Sequence, residues 1–143
     1  MKAKIAVLGA IATIVVLAGA CTAALGSPKQ TSIDVNSSEF AVNKNISKEV
    51  VIDKGSTLVI DLPSNATTGY SWGDAAIGNK DILKQTDTKY VAPEGQVIGA
   101  GGTQTWTFTA TEKGTTKITM HYGRPWEGGE KAELTFEIAV TVR

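Results

Sequence analysis

Alternation with a period of two constrains this chain more than any other feature. The run ELTFEIAVTV sets Leu134, Phe136, Ile138, Val140 and Val142 on one side and Thr135, Glu137, Ala139 and Thr141 on the other. TWTFTATE repeats the pattern with Trp106, Phe108 and Ala110 against Thr105, Thr107 and Thr109. KITMHY does so with Ile118, Met120 and Tyr122 against Lys117, Thr119 and His121. Successive side chains of a strand point to opposite faces, so each run has one apolar face to bury, and Thr and Val suit the pleated backbone. From residue 40 onward no stretch carries a helical period. DKGS at 53–56, EKGT at 112–115 and EGGEK at 127–131 supply the turns. The spacing predicts strands near 31–36, 48–53, 57–63, 69–74, 82–91, 103–111, 115–123 and 132–142. Short strands so punctuated pack as an all-β, antiparallel β-sandwich.

The N-terminus follows a different rule. Lys2 and Lys4 precede an apolar run from Ile5 to Ala20, broken only by Thr13. A membrane-crossing helix needs about 20 apolar residues, so this run fits a signal-peptide core better, over residues 1–20. Small residues Ala18, Gly19 and Ala20 come directly before Cys21, the one cysteine of the chain. LAGAC resembles a lipobox, in which the cysteine thiol takes a diacylglycerol and anchors an exported protein to the cell membrane, facing away from the cytoplasm. Leu17 stands four residues before Cys21, where the lipobox pattern has leucine three before. Ordinary signal-peptidase cleavage and an uncleaved anchor are the alternatives. Residues 21–39 are rich in small and polar residues and read as a tether to a folded domain at 40–143. Asn36, Asn45 and Asn65 each begin an Asn-x-Ser/Thr triplet and are possible glycan acceptors.

Composition narrows the function. Of 14 basic residues, removal of Lys2 and Lys4 leaves 12 against 14 acidic, and no basic cluster exists to track a phosphate backbone, so nucleic acid is not an expected partner. A single cysteine forms no internal disulfide, and with one histidine the chain lacks the His/Cys set of a zinc site. Cys21 is committed to the membrane end. His121 falls on the outer face of a strand, and no G-x-S-x-G elbow accompanies it. Glu127 and Glu130 lie in a turn, where charge is ordinary. Neither catalysis nor a metal or cofactor is expected.

The unusual segments are three loops. NATTGYSW, residues 65–72, puts two threonines before a glycine and two aromatics after it. GAGGTQTW, residues 99–106, has a backbone almost bare of side chains at its start. GRPWEGGE, residues 123–130, brings an arginine and a tryptophan to either side of a proline. Read singly, they could be strand ends, a wide hairpin and a plug over the core. Together they resemble the chagasin family of cysteine-peptidase inhibitors, marked by N-P-T-T-G-x-x-W, G-x-G-G and R-P-W/F in that order. Asn65, Thr67, Thr68, Gly69 and Trp72 match the first motif, Gly99, Gly101 and Gly102 the second, and Arg124, Pro125 and Trp126 the third. Ala66 stands where the family usually has proline. The resemblance covers about residues 40–143.

The resemblance implies an immunoglobulin-like sandwich with the loops side by side at one end. It implies a monomeric, reversible, competitive inhibitor of papain-like cysteine peptidases, gripping the cleft through Asn65, Ala66, Thr67, Thr68, Gly69, Tyr70, Gly99, Ala100, Gly101, Gly102, Arg124, Pro125 and Trp126. The residue types suit that role. Gly69 permits a positive φ, Asn65 can bond its own backbone two residues on, and Thr67 and Thr68 are stiff at χ1. Trp72 is expected to anchor its loop in the core, and Trp126 to be the aromatic hot spot. The loss of proline at Ala66 costs roughly 0.4–1 kcal/mol of rigidity, less than tenfold in affinity. The competing reading is an envelope-anchored binding or adhesion module on the same sandwich, without inhibitor activity.

Overall fold

The computed structural model describes residues 28–95, 101–124, 126, 128, 129 and 132–143. The expected signal peptide, Cys21, Gly99, Ala100 and Pro125 lie outside the described residues. In chain order the elements are β1 (Gln30–Asp34), α1 (Ser37–Val42), β2 (Asn45–Ile52) and β3 (Thr57–Ser64). A 3-10 turn (Ala66–Thr68) leads to β4 (Ser71–Trp72), β5 (Ala76–Ile77), β6 (Leu83–Val91), β7 (Gly102–Ala110), β8 (Gly114–Gly123) and β9 (Leu134–Val142).

Two sheets pack face to face. One runs β1-β3-β7-β6; the other runs β2-β9-β8-β4, with β5 also on β8. Alternation does what the sequence requires of it. Leu58, Ile60, Leu62, Trp106, Phe108 and Ala110 from the first sheet are buried against Ile118, Met120, Phe136, Ile138 and Val140 from the second. Their registers stack Ile60 beside Trp106, and Ile118 beside Ile138. His121 is exposed, as expected, with Nδ1 3.2 Å from the Thr135 hydroxyl.

The sandwich is all-β and immunoglobulin-like as expected, but its pairing is mixed. β1 runs parallel to β3 and β2 parallel to β9, while the other pairs are antiparallel. α1 carries the chain from one sheet to the other, so β1 returns to β3 by way of α1 and β2, and β2 reaches β9 by way of the strands between; parallel pairing needs such long connections. The helix was not predicted, because six residues are too few to display a 3.6-residue period. Its start is nevertheless written locally: Asn36 Oδ1 accepts from Glu39 N–H at 3.0 Å and Glu39 Oε1 accepts from Asn36 N–H at 3.3 Å, a reciprocal cap. Phe40 buries the inner side of this turn. Residues 30–39, assigned to the tether on composition, are therefore taken up by β1 and the start of α1, and the ordered sandwich begins ten residues earlier. The 69–74 strand shortens to Ser71–Trp72, since Gly69 still belongs to a turn.

Lys48 Nζ lies 3.0 Å from Glu39 Oε2, and this hydrogen bond, then the Asn36 N–H, hold the exposed Glu39 carboxyl below the ordinary glutamate range. A depressed carboxyl stabilises the fold above its unfolded pKa, and that contribution is lost as pH falls through the folded value. Glu39→Gln is accordingly expected to lower the melting temperature slightly at neutral pH and to flatten its decline below about pH 4.5. Parallel melts of both proteins against pH check this.

The strands also define two poles. Lys29 O accepts from Thr57 N–H, and Lys54 N–H donates to Arg143 O, so the chain enters and leaves at the same end. β3 then runs eight residues, about 26 Å, to Ser64 at the opposite end. The three loops emerge there.

Candidate functional site

The first loop leaves β3 at Ser64 and is held by its own side chains. Asn65 Oδ1 accepts from Thr67 N–H at 3.2 Å and from Thr67 Oγ1 at 2.6 Å. Asn65 O accepts from Thr68 N–H at 3.2 Å and from Thr68 Oγ1 at 2.7 Å, while Thr68 Oγ1 accepts from Tyr70 N–H at 3.3 Å. Both threonines thus stiffen the loop by hydrogen bonding as well as by branching. Gly69 closes the turn at φ 81°, a conformation that opposes a Cβ. From β8, Tyr122 Oη accepts from Asn65 N–H at 3.0 Å and fixes the loop's base.

Below the loop an aromatic column descends into the core. Tyr70 stacks on Tyr122 at 5.6 Å, and Tyr122 meets Trp72 at 5.1 Å. Trp72 then contacts Phe40 at 5.7 Å and Trp106 at 6.2 Å, and its Nε1 donates to Pro63 O at 2.9 Å. Trp72 is the core anchor expected from its position, and the indole N–H is satisfied as a buried donor must be. Alternation alone predicts for Tyr122 only an inward place on its strand. No local pattern could disclose its second role, because the bond to Asn65 spans 57 residues.

The third loop lies against the first. Arg124 Cζ sits 4.6 Å from the Tyr70 ring centroid and 5.8 Å from that of Trp126, within cation–π range of both. Gly69 touches the Trp126 indole so closely that a Cβ there would lie 2.6 Å from Cη2. Trp126 still exposes 51% of its surface, which removes the reading of it as a plug over the core. Gly128 at φ 79° and a bond from Gly129 N–H to Trp126 O at 3.1 Å turn the chain back behind the indole.

The second loop closes the other side. A Cβ on Gly101 would sit 3.4 Å from Ser64 O and 3.5 Å from Asn65 Cβ, so this backbone abuts the first loop. A Cβ on Gly102 would lie 2.2 Å from Val91 O and 2.6 Å from Tyr90 Oη. The bareness of these two glycines serves packing within the chain, and Gly101 still leaves its backbone exposed. Asn65, Thr67, Thr68, Gly69, Tyr70, Gly101, Gly102, Arg124 and Trp126 thus occupy one end of the sandwich, with the 3-10 backbone of Ala66 among them. Beside them a cavity of about 750 Å³ opens over Phe40, Leu62, Pro63, Tyr122 and Leu134.

Chemically the surface is one of contact. Among the described residues no cluster of His, Cys, Asp or Glu could hold a metal ion. Thr67 and Thr68 are exposed at its tip, and Trp126 beside them. The first loop is a closed turn whose carbonyl at Asn65 already serves three internal donors, the N–H and hydroxyl of Thr68 and the Tyr122 hydroxyl. A thiolate attacks a carbonyl held in near-attack geometry, and this turn cannot extend into a cleft like a substrate without breaking those bonds.

Comparison with known proteins agrees with this geometry. The profile of the chagasin family peptidase inhibitors matches residues 51–140. Chagasin from Trypanosoma cruzi is 35% identical over 77 residues, covering 52% of this chain and 70% of its own. Amoebiasin-1 from Entamoeba histolytica is 34% identical over 101 residues, covering 69% of this chain and 94% of its own. The crystal structure of a cysteine protease inhibitor from Entamoeba histolytica superposes with a TM-score of 0.65 at 21% identity, over 82% of this chain and 100% of that one.

Proposed function

The chain belongs to the chagasin family of peptidase inhibitors, and on that premise we propose that it blocks papain-like cysteine peptidases by seating its three adjoining loops in the catalytic cleft. It is an inhibitor and not an enzyme. The observation that carries the proposed mode is the contact of Trp126 with Gly69 and of Gly101 with Asn65, which makes the loops a single surface. Asn65, Ala66, Thr67, Thr68, Gly69 and Tyr70 enter the cleft; Gly99, Ala100, Gly101 and Gly102 meet one flank, and Arg124, Pro125 and Trp126 the other. The full chain is expected to inhibit papain competitively as a monomer, with an inhibition constant in the nanomolar range or somewhat above, typical of an interface of about 1,600 Å². Steady-state kinetics at varied substrate test this. Papain left fully active at micromolar chain would favour the adhesion reading instead.

The expected signal peptide and LAGAC support a lipid anchor on Cys21 and a location outside the cytoplasm. The course of β1 is consistent with that anchor, because the chain enters at the pole opposite the loops and would hold them away from the membrane. Mass spectrometry of the mature N-terminus tests it: a diacylglyceryl cysteine is the expected species.

Two further outcomes concern the first loop. Ala66→Pro is expected to tighten papain inhibition by less than tenfold, since the hydrogen bonds of Asn65, Thr67 and Thr68 already set the turn. A weaker inhibitor would mean that proline strains this turn. Asn65 is expected to carry no glycan in active protein, because a sugar on its side-chain amide nitrogen would occupy the cleft. Peptide mapping reads this directly.

A further inference from the structure

The edge strand β6 is exposed along nearly its whole length, yet it ends on two apolar residues. Leu83 is buried and the eight residues after it are exposed. Most of that run suits an unpaired sheet edge: Lys84, Asp87 and Lys89 carry charge, and a bulge falls between Gln85 and Asp87. Tyr90 and Val91 break the pattern, with 42% and 47% of their surfaces exposed. They pair with Gln104 and Thr103, and so stand at the loop-bearing pole. Val51, another exposed apolar residue, pairs with Thr141 near the opposite pole.

Tyr90 is also held in place. Its Oη and Cζ would lie 2.6 and 2.8 Å from a Cβ on Gly102, so the phenol rests on bare backbone of the second loop. Gly101, one residue earlier, abuts Asn65 of the first loop. An exposed tyrosine with its rotamer already restricted loses little entropy on contact, which is why tyrosine is frequent among hot spots and in rigid paratopes.

We propose that Tyr90 is a contact residue beyond the three loops, its ring meeting the wall of the bound peptidase's cleft on the second-loop side. The partner is the papain-like peptidase itself, and the inference rests on the inhibitory reading above. An apolar wall at that place is accepted and a charged one is disfavoured, so Tyr90 sets preference among these peptidases.

Papain and the full chain test this by hydroxyl-radical footprinting of the free and bound chain, combined with inhibition kinetics. Oxidation of Tyr90 is expected to fall severalfold in the complex while Val51 stays unchanged. Tyr90→Ala is expected to raise the inhibition constant about tenfold, and Tyr90→Phe, which keeps the ring over Gly102, by no more than about threefold. Inhibited papain with Tyr90 oxidised at its free rate overturns the contact alone. So does protection without a change in affinity for Tyr90→Ala, and so does weakened inhibition without protection, which would make the ring a mere prop for Gly102. If Tyr90→Ala fails to fold, the footprint of the wild-type chain decides. A wild-type chain that leaves papain active overturns the inhibitory reading and this contact with it.

Discussion

Trp126→Ala is expected to raise the inhibition constant against papain by about thirtyfold, the equivalent of ~2 kcal/mol, with little change in melting temperature. The two halves of that result have separate causes. The indole is half exposed and lies outside the core cluster, so its truncation leaves the packing between the sheets intact. Its buried side rests on Gly69 and stands near the Arg124 guanidinium, so it is orientated before any partner arrives. A rigid aromatic loses little entropy on docking and offers a large apolar face, which is the profile of a hot spot. Inhibition kinetics and a thermal melt of one purified variant check both halves. Loss of fold would return Trp126 to the role of core plug.

Gly69→Ala is expected to weaken inhibition comparably, roughly tenfold to a hundredfold, while also costing about 1–2 kcal/mol of stability. At φ 81° an L-residue is strained whatever the space around it. The added methyl would also stand 2.6 Å from Trp126 Cη2, so the indole must move off the first loop. The same substitution therefore disturbs the turn and the hot spot together. A double-mutant cycle separates these: if Gly69→Ala acts partly by displacing Trp126, the pair with Trp126→Ala weakens inhibition by less than the product of the single effects. Full additivity would mean that the two loops act on the peptidase independently.

What the sequence disclosed depended on how local each signal was. Strands 103–111, 115–123 and 132–142 were placed to within two residues, because alternation and turn glycines are local properties. Gly69 and Asn65 were legible for the same reason: a positive φ and a side-chain bond two residues on are short-range demands. The parallel seating of β1 and β2 was not legible, since each pairs with a strand distant in sequence. Nor was α1, whose six residues show a cap but no period. Within the site, Gly101 and Gly102 illustrate the limit best. Their lack of side chains was plain, but only the folded chain shows that Asn65 and Tyr90 fill the room. Alternation points Tyr122 toward the core, but its hydroxyl's grip on the first loop exists only in the folded chain.

The proposed mode of inhibition is tested most directly by alkylating papain's catalytic cysteine with iodoacetamide in the presence of rising amounts of the chain, then weighing the recovered chain. Alkylation is expected to slow in step with inhibition, and the chain to return with residues 65–70 uncut. Undiminished alkylation of a fully inhibited enzyme, or hydrolysis within that turn, would contradict it.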